Sequence, residues 1–120
     1  NQKNQLAGRD GEYFYIASSK RYERPDQQYW FTISQKKIDK LHYTKGVLVL
    51  FYLDKHEYST VDSDALKLEL VPYLNVFEKN SLKLYHLGVK EIENSMVLLL
   101  PKKGRENSMP ISTKALDNKR

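Results

Sequence analysis

Cysteine is absent from the chain, and glycine is scarce, with five among 120 residues. The first absence removes disulfides, thiolate nucleophiles and cysteine-held zinc or iron–sulfur centres. The second leaves little material for phosphate-cradling loops, and neither a GxGxxG nor a P-loop pattern occurs. No serine sits in a GxSxG setting and there is no HExxH; His42, His56 and His86 are dispersed, with no pair at i and i+4. Most enzyme classes thereby lose their usual warrant, and no cofactor and no metal is expected. No apolar run approaches the roughly 20 residues that a membrane-crossing helix needs, so no membrane partner is expected either. Lack of cysteine fits an intracellular protein. The start at Asn1 without methionine fits a domain cut from a longer chain.

What is present suits one modest core. Apolar residues make up 40% of the chain and aromatics 12%, which argues against wholesale disorder. Lys and Arg number 20 against 15 Asp and Glu, a mild excess that is unevenly spread. Residues 34–45 set four lysines against Asp39, and residues 101–120 set six basic residues against Glu106 and Asp117. Residues 54–69 are acidic, with Asp54, Glu57, Asp62, Asp64 and Glu69 against Lys55 and Lys67. A surface polarised in this way can steer an anionic partner.

The longest apolar run, GVLVLFYL from Gly46 to Leu53, is too short for an ordinary buried helix and rich in strand formers. It predicts a central strand needing cover on both faces. YFYIASS from Tyr13 and YWFTI from Tyr29 predict two further strands, joined as a hairpin by the polar, proline-broken loop 20–28. Ser34 is placed to cap a short helix, QKKIDKLHY, with Ile38, Leu41 and His42 on one side and Lys36 and Lys40 on the other. Asp54 and Lys55 predict a turn into a strand over His56–Val61. Asp62, Ser63 and Asp64 favour a helix start before the leucine-rich run that reaches Leu74, although Leu66, Leu68 and Leu70 also alternate as a strand would. Residues 75–81 are expected to loop, with Val76 and Phe77 as tethers to the core. A strand from Leu82 stops at Gly88, and MVLLL from Met96 forms the last strand before Pro101.

The expected fold is α+β: a mixed or antiparallel central sheet of five to six strands with one or two short helices, in the order β-β-α-β-β-(α)-β-β. Residues 1–12 are expected to form a flexible arm, 13–101 a single sheet-centred binding domain, and 102–120 a basic, mobile tail.

Binding is the function class that survives. Three basic groups are candidates: Lys20, Arg21 and Arg24 in the long loop; Lys36, Lys37 and Lys40 on the helix; Lys102, Lys103 and Arg105 after the last strand. Together they could neutralise phosphates. Arg21 and Arg24 suit guanine edges, and Gln27 and Gln28 suit adenine, through paired hydrogen bonds. The expectation is a non-catalytic module that binds duplex DNA within a larger nuclease, recombination or regulatory protein. Rings gathered at Tyr13–Tyr15 and Tyr29–Phe31 offer a variant in which single strands stack. A protein-interaction or structural domain is the alternative from another class. A Mg²⁺-dependent nuclease built on Asp54, Asp62 and Glu69 is a second alternative.

Overall fold

The computed structural model describes residues 13–105 and 107–116 in full and residues 5–7 as backbone. The alternating stretches of the first half become β2 (Tyr13–Ser19), β3 (Tyr29–Ser34), β4 (Val47–Tyr52) and β5 (Glu57–Asp62), preceded by a short β1 (Gln5–Ala7). The second half supplies β6 (Val76–Lys79), β7 (Leu82–Ile92), β8 (Ser95–Leu99), β9 (Ser108–Ile111) and β10 (Lys114–Ala115). The α+β class expected from the sequence holds, with strands divided between two sheets. A mixed sheet runs β1-β2-β4-β5-β10, parallel at β2–β4 and antiparallel elsewhere. An antiparallel sheet runs β3-β7-β8-β9, with β6 also on β7.

Helix α1 (Gln35–Thr44) begins where the sequence places it. The Ser34 hydroxyl accepts from the Lys37 N–H at 3.2 Å, and Ile38 and Leu41 are the buried residues. Its end divides two jobs that glycine often does together. Lys45 takes the left-handed conformation at φ 57°, and Gly46 donates to the Leu41 carbonyl at 2.8 Å. Gly46 is required for a close approach: a Cβ there would stand 2.6 Å from the Tyr13 carbonyl oxygen. After β5, Asp62 caps α2 (Ser63–Ala65) by accepting from the Ala65 N–H at 2.8 Å. The helical path then loosens into a π turn over Leu66–Leu70 and tightens into a 3₁₀ turn over Val71–Tyr73. Pro72, lacking an N–H, cannot carry the α-helical ladder onward. Leu66, Leu70 and Leu74 are buried and Leu68 is exposed, so helical spacing wins over strand alternation.

The inward rows of the two sheets meet in one core. Leu48, Leu50 and Tyr52 of β4 face Tyr29, Phe31 and Ile33 of β3 and Leu87 and Val89 of β7. Tyr52 makes edge contacts with Tyr29 and Phe31, at centroid distances of 4.9 and 5.8 Å. Its hydroxyl shares a 2.7 Å hydrogen bond with Ser59, so the buried oxygen is satisfied. Both helical segments lie at the end where β3 and β5 finish and β4 begins. Loop 20–28, the turn 53–56 and the β7–β8 turn lie at the other end.

Several expectations are corrected. β2 and β3 do not pair as a hairpin; they fall in different sheets, because β2 takes β4 as a parallel neighbour and β3 takes β7. Residues 75–81 carry β6, since β7 is long enough to pair with it beside β8. Gly88 does not end a strand: β7 runs through it to Ile92, and the glycine makes room for the Gln27 side chain. The stretch 102–120, expected as a tail, contains β9 on β8 and β10 on β5. Of the expected arm, residues 5–7 form β1, and the rest lies outside the described residues.

Gly46→Ala tests the close approach. Its Cβ would also meet Leu41 and the Tyr13 ring at 3.0 Å, so backbone must move. The expected loss is about 1–3 kcal/mol, measured by urea unfolding as a lower midpoint at unchanged slope.

Candidate nucleic-acid interface

Loop 20–28 is folded onto the body by its own polar groups. The Tyr22 N–H donates to the Gln28 carbonyl at 2.8 Å, and the Gln28 N–H to the Val89 carbonyl at 3.0 Å. The Gln28 amide donates to the Arg24 carbonyl and accepts from the Glu91 N–H. Ser19 joins the sheets here, its hydroxyl accepting from the Trp30 N–H at 3.0 Å and its carbonyl from the Leu53 N–H.

Glu91 completes the fastening. One carboxylate oxygen meets Arg21 Nη1 at 2.6 Å and the other Lys55 Nζ at 2.9 Å. Those two bonds hold the carboxyl below its ordinary range, Lys55 contributing more than Arg21. The Tyr29 hydroxyl donates to Asp54 at 2.8 Å, and its pKa is pushed up to about 12, chiefly by burial and then by that bond. Arg21 and Gln28 thus each help to fasten the loop, Arg21 through Glu91 and Gln28 through Arg24 and the Glu91 N–H.

Arg24 and Gln27 are placed differently. With Tyr22 and Trp30 they line a hollow of about 310 Å³. The Lys20 ammonium lies 5.2 Å from the centre of the Tyr22 ring, and Arg24 makes only a loose 3.6 Å contact with Asp26 in the open. Alternation puts Tyr29, Phe31 and Ile33 in the core and turns Trp30 outward. Across the antiparallel sheet Trp30 meets His86 at 4.4 Å between centroids, and Phe77 stacks on the other side of His86 at 4.5 Å and 14°. Val76 and Phe77, expected as core tethers, are 38% and 39% exposed, as all of β6 is exposed; Phe77 sits opposite the outward-facing Leu84. Burial lowers the His86 pKa, which keeps the imidazole neutral near neutral pH. Outward positions of β3, β6 and β7 carry Lys79 and Lys90 and no acidic side chain. A row of rings thus runs from the hollow across a face whose strand charges are all positive.

The other expected basic residues lie elsewhere. Lys36, Lys37 and Lys40 belong to α1, at the far end of β3, about 17 Å along the strand from the loop. Lys37 and Lys40 lie over Tyr15 and Tyr13, at 5.2 and 4.7 Å from the ring centres. Lys102, Lys103 and Arg105 follow β8 on the edge of β7 away from β3; the Lys102 N–H donates to Tyr73 and the Lys103 ammonium lies over its ring. Asp54 and Asp62 flank opposite ends of β5, and Asp62 caps α2 while Asp64 faces His42 at 3.7 Å. They do not gather round one ion, and no group of three or more metal-binding side chains occurs among the described residues.

Trp30 was within reach of sequence reasoning, through the alternation of β3. His86, Phe77, Lys79 and Lys90 join the site only through strand pairing between distant segments. Comparison with protein-family models, with curated proteins and with solved structures gave no match to this chain. No helix among the described residues is long and apolar enough to cross a membrane.

Glu91→Gln should loosen the loop and cost about 1 kcal/mol after solvent screening of these partly exposed groups. Because the folded-state pKa is depressed, the contribution is full above the ordinary value of 4.5 and fades as pH falls through the lowered one. Denaturant unfolding of both proteins should therefore differ at pH 7 and converge in acid.

Proposed function

We propose that the protein binds nucleic acid by stacking unpaired bases on the antiparallel sheet's outward face, entered at the hollow between Tyr22 and Trp30. The observation that carries this reading is the half-exposed Trp30 ring, which lines the hollow on one side and meets the His86–Phe77 stack on the other. Base–aromatic stacking contributes about 1–3 kcal/mol per base and tolerates any sequence, since every base has a π face. Arg24 and Lys20 beside the hollow, with Lys90 and Lys79 along the sheet, supply positive charge for the backbone. The Gln27 amide can form paired hydrogen bonds with an exposed base edge.

This retains three residues of the original loop assignment, Lys20, Arg24 and Gln27. The partner favoured by ring stacking is single-stranded, because rings inside a duplex are already stacked. Duplex binding through the loop and α1 remains the competing proposal, and it places the energy in Lys36, Lys37 and Lys40.

The chain's single tryptophan is Trp30, so its fluorescence reports from the proposed site. Oligothymidylate should quench it, with affinity falling as salt rises. By anisotropy of a labelled strand, Trp30→Ala should weaken binding about 5- to 150-fold. Arg24→Ala should lower the salt slope by roughly one phosphate contact. Duplex bound more tightly than single strand, unaffected by Trp30→Ala and lost on Lys36, Lys37 and Lys40→Glu, would replace this reading with the competing one.

A further inference from the structure

The outward face of the mixed sheet is apolar and half-buried, with no second layer packed on it among the described residues. In the parallel register Phe14 pairs with Val47 and Ile16 with Val49, and across β4–β5 Phe51 pairs with Tyr58 and Val49 with Thr60. Phe14, Ile16, Val49, Phe51 and Tyr58 therefore share one face, where they line an open groove of about 530 Å³. Leu116, 44% exposed, closes one side after β10. The central strand's sequence predicts cover on both faces, and the inward face receives it from the core. Sheets with antiparallel pairing commonly leave one face in water, but that face is then polar, and the outward positions of β4 are Val47, Val49 and Phe51.

Size and charge narrow the occupant. β2, β4, β5 and β10 span about 14 Å across at 4.8 Å per strand and about 20 Å along, a patch of about 300 Å². Each partner in a standard protein interface buries about 800 Å², so this face alone is too small to hold two copies together. It matches one α-helix, about 10 Å wide and about 20 Å long over 13 residues. A small molecule would keep its far side in water above so open a groove, whereas an amphipathic helix buries one stripe and leaves its polar face outside. Lys114 stands at the β10 end, opposite Tyr58 and paired with no carboxylate among the described residues; Asp62 lies on the same face at the other end of β5. A helix C-terminus, with its negative end and an acidic residue, suits the Lys114 side.

We infer that this groove is the docking surface for one amphipathic, acidic-ended α-helix from another polypeptide segment, seated on Ile16, Val49 and Phe51 with its C-terminal end at Lys114. The site is on the opposite sheet from the ring row and independent of it.

The test uses three synthetic helical peptides added to the protein. One has leucines at i, i+3, i+4 and i+7 and glutamates near its C-terminus. One is its shuffled isomer, and one carries lysines in place of the glutamates. Methyl NMR should show the first peptide shifting Ile16, Val49 and Leu116 while leaving the inward Leu48 and Leu50 unmoved, with the shuffled peptide inactive. Val49→Asp should abolish the shifts. Lys114→Glu, which leaves the apolar face intact, should weaken the acidic peptide by up to about fivefold and favour the lysine one. Equal shifts with the shuffled peptide, or none with any, overturn the inference. So does self-association that shields the same methyls in sedimentation, which assigns the face to a second copy. Binding to anionic vesicles that Val49→Asp removes assigns it to a lipid surface and likewise overturns it.

Discussion

Tyr52 is the joint on which the two sheets depend. It is the last residue of β4, fully buried, with its ring edge-on to two rings of β3 and its hydroxyl bonded to Ser59 on the neighbouring strand. Such ring contacts add about 0.5–1.5 kcal/mol beyond area burial. A phenol at this position needs both the apolar shell and the one polar partner, because an unsatisfied buried hydroxyl is costly. Truncation here would open a gap between the sheets and strand Ser59.

Because Tyr52 fixes β3 against β4, the connections at that end are fixed as well. Loop 20–28 leaves β2 at Ser19 and enters β3 at Tyr29, and it is fastened through Arg21, Gln28 and Glu91. Arg24 and Gln27, which take no part in that fastening through Glu91, line the hollow with Tyr22 and Trp30. Arg21 and Arg24 are chemically alike and three positions apart, yet one is bonded to Glu91 and the other stands in solvent. The difference lies in which side of the folded loop faces β7.

The two outward faces are chemically unlike. That of the antiparallel sheet carries the Trp30, His86 and Phe77 rings with Lys79 and Lys90. That of the mixed sheet is aliphatic and aromatic with a lysine at one end, suited to an apolar stripe. The two faces belong to different sheets and share no residue, so the two proposed binding roles would not compete for side chains.

Local sequence determined the strands near 13–19, 29–33, 47–53 and 56–61 and the cap at Ser34, through runs of strand-forming residues and a capping hydroxyl, and it favoured helix over strand for the leucines after Asp62. Local spacing carries no record of which strand lies beside which. Only the tertiary structure decided that β2 and β3 belong to separate sheets, that His86 and Phe77 stand beside Trp30, that Glu91 occupies Arg21, and that the second face of β4 is left open. Each of these follows from pairing between segments far apart in the chain, where the free energy depends on partners that no window of sequence contains.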